Sequence, residues 1–373
     1  VRVEVFLEMI KSDFYTGVPD SQLKALCDYL IDTYGINPEH HVIAANEGNC
    51  VALAAGYSLA TGKRPVVYMQ NSGEGNAVNP IVSLISDRVY AIPIQFVIGW
   101  RGEPGIHDEP QHVFQGEITC DLLDKLGIKY TIITKDTTCD DLLEIVSEFD
   151  EFMDCGKSVA YIIKKEALTY DKKVRYENDN LVKREDIIEH ILQVSGDDPI
   201  VATTGKTSRE LFELREKNGQ MHDLDFLTVG SMGHASSFAL GIAINKPNRK
   251  VWCIDGDGAM IMHLGATAVI GSIHPNNMVH VLINNGAHES VGGMPTVASS
   301  VNIIELAKAC GYQYVTSVND LKSLDRELES VCERKCLSFI EVKCAIGSRS
   351  DLGRPTTSPK ENKDCFINYL KRI

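Results

Sequence analysis

Val251-Trp252-Cys253-Ile254-Asp255-Gly256-Asp257-Gly258 is followed, after twenty-five residues, by Asn284-Asn285-Gly286-Ala287. The first four residues form a short apolar run that stops at two Asp-Gly pairs, so they read as a buried strand closed by a tight turn. Ala259 to Gly271 carries small and apolar residues at helical spacing and ends on glycine, which predicts one helix. Met278 to Ile283 is a second buried strand. The unit is therefore β-α-β. In a parallel sheet its strand ends lie side by side, where such folds bind ligands. One carboxylate, from Gly256-Asp257-Gly258, and one amide oxygen, from Asn284-Asn285, converge there, beside a helix N-terminus that favours anions. A carboxylate and an amide oxygen are hard ligands of the kind magnesium shares with phosphate groups.

Composition narrows the classes. The 373 residues are enough for two full domains. A formal charge of −14 argues against a nucleic-acid partner, because phosphate backbones need a basic surface. No apolar run is long enough for a membrane span. Residues 1–10 have too short an apolar run for a signal peptide and contain Glu4 and Glu8. The eleven cysteines are odd in number and scattered, and Cys50, Cys253 and Cys310 sit inside apolar runs. They read as reduced thiols packed as small apolar groups, so the expected location is cytoplasmic.

The chain divides into two halves of similar rhythm. Phe14 to Asp20 precedes a helix-like stretch from Ser21 to Tyr34, with Asp20 or Ser21 as a possible cap. His41 to Ala45 is a short strand leading into Asn46-Glu47-Gly48-Asn49 and a small-residue helix from Cys50 to Thr61. Glu47 stands at its start, where an acid also suits the helix dipole. Pro65 to Met69 is a strand that opens into the polar glycine loop Gln70 to Asn76, with a helix beyond it through Asn79 to Ser86. Ile92 to Ile98 is a further strand. Gly105 to His112 is polar and aperiodic, which predicts an active-site loop. Leu122 to Gly127 and Cys139 to Phe149 read as helices, and Val159 to Ile163 closes this half as a strand. Charged residues from 168 to 184 place a linker at 171–185, between domains at 1–170 and 186–373. In the second half Ile200 to Thr203 is a strand that ends in Thr204-Gly205-Lys206-Thr207-Ser208-Arg209, whose amides and hydroxyls suit phosphate oxygens. Thr228 to His234 leads into another small-residue helix, Ala235 to Ile244, and then comes the β-α-β unit.

Gly-Asp-Gly followed some twenty-five residues later by Asn-Asn resembles the cofactor motif of the thiamine diphosphate-dependent enzymes. Asn46-Glu47-Gly48-Asn49 resembles the start of their pyrimidine-binding domain, so the resemblance covers nearly the whole chain. It implies an α/β fold of two thiamine diphosphate-binding domains, each a mainly parallel sheet with helices on both faces, without a central third domain. It also implies thiamine diphosphate and Mg2+ as cofactors. The metal ligands would be Asp257, Asn285 and the Ala287 carbonyl. Glu47 would contact N1′ of the aminopyrimidine, and Met232 would wedge between the cofactor rings, with backbone contacts from Gly230 and Met232. Thr204, Gly205, Thr207 and Ser208, together with Gly256, Gly258 and Ala259, would line the diphosphate. Ala259 stands where many relatives carry a hydroxyl. His112, Asp20 and His107, in that order, are the candidates for proton handling.

Within that family, Tyr15 to Asp20, Asp108 to His112 and Thr203 to Arg209 resemble compact two-domain decarboxylases. The implied reaction is decarboxylation of 3-phosphonopyruvate to phosphonoacetaldehyde and carbon dioxide. Decarboxylation of sulfopyruvate and acetolactate-type carboligation are the alternatives. Family members act with Glu47 and Asp257 counterparts from different chains, which implies a homodimer or higher homo-oligomer with active sites between chains. The partner is a small molecule, not a nucleic acid or a membrane. Arg101, Lys206, Arg349 and Arg354 lie in expected strand-end loops and are the candidates for holding the phosphonate, a group that arginine binds bidentately.

Overall fold

The computed structural model describes residues 1–372. The chain separates into two compact units, Val1–Arg175 and Tyr176–Ile373. Among the described residues no helix is long and apolar enough to cross a membrane.

The first unit runs α1 (Val3–Ile10), β1 (Tyr15–Gly17), α2 (Lys24–Tyr34), β2 (His41–Ile43), α3 (Glu47–Thr61), β3 (Val66–Gln70), α4 (Glu74–Pro80), β4 (Gln95–Gly99), α5 (Pro110–Leu126), β5 (Lys129–Ile133), α6 (Cys139–Asp154) and β6 (Val159–Ile163). The strands form one six-stranded sheet in the order β2-β1-β3-β4-β6-β5, and every pairing is parallel. Its central strands are buried along nearly their whole length, which is why they read as near-continuous apolar runs rather than alternating ones. All six carboxyl ends therefore share one edge.

Several local expectations for this half are corrected. The helix expected from Ser21 starts only at Lys24, with Leu23 at its cap position and no side-chain cap. Asp20 instead accepts the backbone N–H of Gln22 at 3.0 Å. The Gly105–His112 segment is a loop only as far as Glu109, so His112 lies in the first turn of α5. Pro110 sets φ for that first turn, and half-exposed residues hid the apolar period that follows. The helix expected through Asn79 to Ser86 changes pitch at Pro80, which has no N–H to give. Beyond it Ser86 bonds back to the Ile81 carbonyl, five residues away.

The second unit runs α7 (Arg184–Ser195), β7 (Ile200–Ala202), α8 (Lys206–Lys217), β8 (Asp225–Leu227), α9 (Ala235–Asn245), β9 (Val251–Gly256), α10 (Asp257–Met262), α11 (Gly265–Ile273), β10 (Met278–Asn284), β11 (Ala287–His288), β12 (Met294–Pro295), α12 (Ile303–Cys310), β13 (Tyr314–Val318), α13 (Leu321–Glu333), β14 (Ser338–Lys343) and α14 (Pro359–Arg372). Its six-stranded sheet has the order β13-β14-β10-β9-β7-β8 and is likewise parallel, while β11 and β12 make a small antiparallel ribbon. One face of the sheet offers Trp252, Ile254, Val279, Val281, Ile283, Ile340 and Val342 to apolar residues of α7, α8 and α13. The opposite face carries Cys253, Asp255 and His280, all fully buried. Cys253 and His280 are register partners across β9 and β10.

The single helix expected from Ala259 to Gly271 is two helices, broken at His263 and Leu264. No glycine or proline marks that break in the sequence. The segment drawn as a linker at 171–185 overlaps the first two residues of α7. Within it, the Asn178 amide donates to the Asn285 and Cys344 carbonyls at 2.9 Å each, so this stretch is a packed part of the second unit.

Candidate functional site

In the first unit the carboxyl edge gathers the loops after β1, β2, β3 and β4. Glu47 opens α3, and the Asn46 side chain caps that helix by accepting the Asn49 N–H at 3.0 Å. The Glu47 side chain is buried, and its Oε2 accepts from Asn76 Nδ2 at 2.8 Å. Asn76 was not anticipated as a partner, because it lies in the first turn of α4, in a stretch that reads as a loop, and nothing local links the two.

Asp20, Arg101, Asp108 and His112 make a second group on the same edge. Arg101 holds Asp108 through two bonds of 2.8 and 2.5 Å and reaches Ser21 Oγ at 3.3 Å. Asp20 is fully buried, and its Oδ1 has no hydrogen-bond partner. Burial pushes its carboxyl up to about 7, against the lowering by Arg101 and nearby backbone N–H groups. Burial, with Arg101 next, pushes His112 down to about 4, so its imidazole is neutral at neutral pH. His107 lies in the preceding loop, outside the helix that carries His112. As a phosphonate ligand Arg101 is therefore already committed to Asp108.

In the second unit Gly256 ends β9, and Asp257, Gly258 and Ala259 begin α10. Asp257 is buried and accepts the Thr296 hydroxyl at 2.5 Å. Burial pushes its carboxyl up to about 6, opposed by Thr296 and by the backbone N–H groups of Asn285 and Gly258. Asp257 and Asn285 are thus in contact, as the strand pattern requires. Thr296 comes to Asp257 because the β11–β12 ribbon folds back, with Thr296 N–H on the Gly286 carbonyl at 2.9 Å. No periodic cue in the sequence announces that contact.

Asn285 donates Nδ2 to Glu289 Oε2 at 2.8 Å and accepts the Ala287 N–H on Oδ1 at 3.0 Å. Glu289 is itself held by Arg184 at 2.7 Å and by Lys206 at 2.9 Å. Burial would raise the Glu289 carboxyl, but these two cations outweigh it and hold it below the usual range. Arg184 also makes two bonds to Glu210, at 2.6 and 2.7 Å.

Of the segments expected to line a cofactor, the turn that holds Gly230 and Met232 packs against the start of α10. Gly205 has a left-handed φ of +91° and lies near Ser290. Gly230 and Met232 belong to the turn between β8 and α9, with Ser231 and Gly233 both at positive φ. A Cβ on Gly233 would come within 2.8 Å of the Ala259 carbonyl, so only glycine lets this turn pack against α10. Thr207 and Ser208 are buried in the first turn of α8. The Ser208 hydroxyl donates to the Thr203 carbonyl at 2.8 Å, so in this arrangement it has no proton to offer a phosphate.

Of the cationic residues proposed for the phosphonate, Lys206 and Arg349, like Arg101, are paired with carboxylates. Lys206 is bound to Glu289. Arg349 bridges Glu185, Glu213 and Asp351, fastening the loop after β14 to α7 and α8. Arg209 donates to the carbonyls of Leu352 and Gly353 in the same loop. Arg354 follows directly and is exposed.

The donor set at Asp257, Asn285 and Ala287 is all oxygen. A buried carboxylate whose main supports are neutral donors is one that a hard divalent cation would stabilise. These residues therefore fit a magnesium ion shared with phosphate oxygens.

Comparison with known proteins agrees with this layout. Residues 3–128 match the thiamine pyrophosphate enzyme N-terminal TPP binding domain, and residues 203–342 match the C-terminal TPP binding domain. The chain is 34% identical to a phosphonopyruvate decarboxylase of Streptomyces viridochromogenes, an alignment covering 92% of this chain and 88% of that one. Identity to a phosphonopyruvate decarboxylase of Streptomyces hygroscopicus is 33%, covering 92% and 87%. Identity to a sulfopyruvate decarboxylase of Methanosarcina acetivorans is 28%, covering 98% and 97%. The two domain matches give thiamine diphosphate as the cofactor, and the relatives give decarboxylation as the reaction class. With both domains in place and about a third of its residues shared along nearly its full length, the chain belongs to the thiamine pyrophosphate enzymes, in the group that holds the phosphonopyruvate decarboxylases.

Proposed function

We propose that the protein decarboxylates 3-phosphonopyruvate to phosphonoacetaldehyde and carbon dioxide, a step of phosphonate biosynthesis, using thiamine diphosphate and Mg2+. The observation that carries this reading is the similarity over more than nine-tenths of the chain to two phosphonopyruvate decarboxylases, at higher identity than to the sulfopyruvate enzyme. Thiamine diphosphate, when bound, supplies the electron sink for the carbanion. Asp257, the Asn285 amide oxygen and the Ala287 carbonyl would hold the magnesium ion. The turn at Thr204 and Gly205, the N–H of Thr207 and the segment from Gly256 to Ala259 would meet the diphosphate. Gly230 and Met232 would support the aminopyrimidine.

Glu47 is kept in place by Asn76 on Oε2 and would share a proton at its other oxygen with the aminopyrimidine. The product needs one proton on the carbon that loses carbon dioxide. Asp20, poised at about 7, is in both protonation states near neutrality and suits that transfer. Neutral His112, which like Asp20 interacts with Arg101, can accept or donate. A cytoplasmic location is part of this reading, supported by cysteines such as Cys50 and Cys253 that are buried as free thiols. We place the working unit at a homodimer or larger homo-oligomer, with Glu47 of one copy and Asp257 of another acting on one cofactor.

The test is to mix the purified protein, Mg2+ and thiamine diphosphate with phosphonopyruvate, sulfopyruvate and pyruvate separately. Phosphonoacetaldehyde as the dominant product supports the proposal. Preference for sulfopyruvate, or acetolactate from pyruvate, would replace it.

A further inference from the structure

Asn285 can serve a metal only through the oxygen end of its amide. The two ends are nearly alike in shape, so something must decide which one faces the ion. In this structure two contacts decide it. Nδ2 donates to Glu289 Oε2 at 2.8 Å, and Oδ1 accepts the Ala287 N–H at 3.0 Å. Turning the amide over would set its oxygen against a carboxylate and its N–H2 against an N–H, so both contacts would become repulsive. Ala287 N–H is backbone and comes with the turn. Glu289 is a side chain, and the fold goes to some length to fix it. Arg184, from the start of α7, bonds Oε2 at 2.7 Å, and Lys206, from the start of α8, bonds Oε1 at 2.9 Å. Glu210 accepts two bonds from Arg184 and so anchors it in turn. The Arg184, Glu210 and Glu289 side chains are each less than a tenth exposed. The four groups sum to zero charge, so removing Glu289 would leave two cations and one anion beside the proposed metal ligands.

We infer that Glu289 is a positioning residue for the metal: it orients the Asn285 amide and neutralises Arg184 and Lys206 next to it. This rests on the reading of Asp257, Asn285 and Ala287 as the magnesium ligands. Lys206 is accordingly part of this support and not a phosphonate ligand.

Mn2+ serves as the probe, its binding followed by electron paramagnetic resonance with saturating thiamine diphosphate. Glu289→Ala is expected to weaken Mn2+ binding about ten- to a hundredfold, the usual cost of losing a partner behind a metal ligand. In an Asn285→Ala background the same change is expected to add little, because Glu289 acts through Asn285. Equal losses in both backgrounds, or unchanged Mn2+ affinity with only a lowered melting temperature, would reduce Glu289 to a residue that holds the fold. If Glu289→Ala does not fold, Glu289→Gln replaces it: that amide keeps the size and one acceptor but not the charge, and an intermediate loss is expected. Wild-type Mn2+ binding that does not depend on thiamine diphosphate, and that survives Asp257→Ala, would instead remove the metal-site reading itself.

Discussion

Gly73 lies directly against Glu47: a Cβ built on Gly73 would stand 2.5 Å from Glu47 Oε1 and from Cγ. The polar loop after β3 thus forms one wall of the position that Glu47 occupies, and Asn76 of α4 grips its other oxygen. Gly73→Ala must displace the carboxylate, since no side-chain atom is tolerated at that distance. The variant is expected to fold, to melt close to wild type and to lose most turnover. Activity near wild type would mean that the Glu47 carboxylate needs no fixed position.

Glu47→Gln tests the group itself. It preserves shape and the Asn76 contact through an amide oxygen, and removes the proton that Glu47 would share with the cofactor. Turnover is expected to fall by about a hundredfold or more, with cofactor affinity little changed. Hydrogen exchange at the reactive cofactor carbon, followed by NMR, gives a separate readout; near-normal exchange would sink the assignment.

Asp257→Ala removes the one charged member of the proposed metal set. Magnesium and thiamine diphosphate affinity are expected to fall together, by at least about thirtyfold. Titrating the cofactor by quenching of protein fluorescence at fixed magnesium measures this. Unchanged affinity would leave Asp257 as a turn residue tied to Thr296.

Glu74 gives the first unit a pH-dependent weakness. Its carboxyl is buried at the start of α4, and neither oxygen has a hydrogen-bond partner. Burial raises it to about 9. The sign follows from linkage. Between the ordinary carboxylate range and about pH 9 the folded chain binds more protons here than the unfolded chain does, so stability falls as pH rises. Below that window both states are protonated and the penalty is absent. One such group changes stability by at most about 1.4 kcal/mol per pH unit, or roughly 3–6 °C in a unit of this size. Glu74→Gln should flatten the decline, so that the variant melts above wild type at pH 8 and the gap narrows at pH 6. Parallel melting curves across that range would show that Glu74 finds a partner in solution.

Arg354 carries the remaining substrate prediction. Its loop is fixed by Arg349 on α7 and α8 and by Arg209 on the Leu352 and Gly353 carbonyls, so the backbone leading into it is held. Arg354→Ala is expected to lower kcat/KM for phosphonopyruvate about thirtyfold through KM, the worth of one charge-assisted pair. Pyruvate, lacking the phosphonate, should lose little. Equal losses on both substrates would assign Arg354 to the fold or the cofactor.

The sequence by itself determined the two parallel sheets and the strand ends at which chemistry can sit. Those follow from local facts: apolar runs long enough for buried strands, stopped by Asp-Gly, Asn-Gly or glycine-rich turns. Asp257 and Asn285 were legible because each directly closes a strand, and adjacency of β9 and β10 follows from one crossover. Glu47 was legible because it opens a small-residue helix straight after β2. Helix limits were less legible. The break at His263 and Leu264 has no glycine or proline to announce it, and the start of α5 was hidden by residues exposed on most sides.

Only the tertiary structure decided what each of those groups touches. Thr296 reaches Asp257 because the β11–β12 ribbon folds back, and Asn76 reaches Glu47 because β3 and its loop are set within reach of β2 across β1. Arg184 reaches Glu289 across 105 residues. Lys206, Arg349 and Arg101 looked alike in the sequence as cations in strand-end loops. In the fold all three are paired with carboxylates, Lys206 and Arg349 with groups from other segments and Arg101 with Asp108 of its own loop. Ion pairs of this kind depend on distances of a few ångströms between distant parts of the chain, and a buried charge takes whichever opposite charge the packing brings to it. Residue type and spacing fix where a charge is anchored, and the packing of the helices on the sheet fixes its partner.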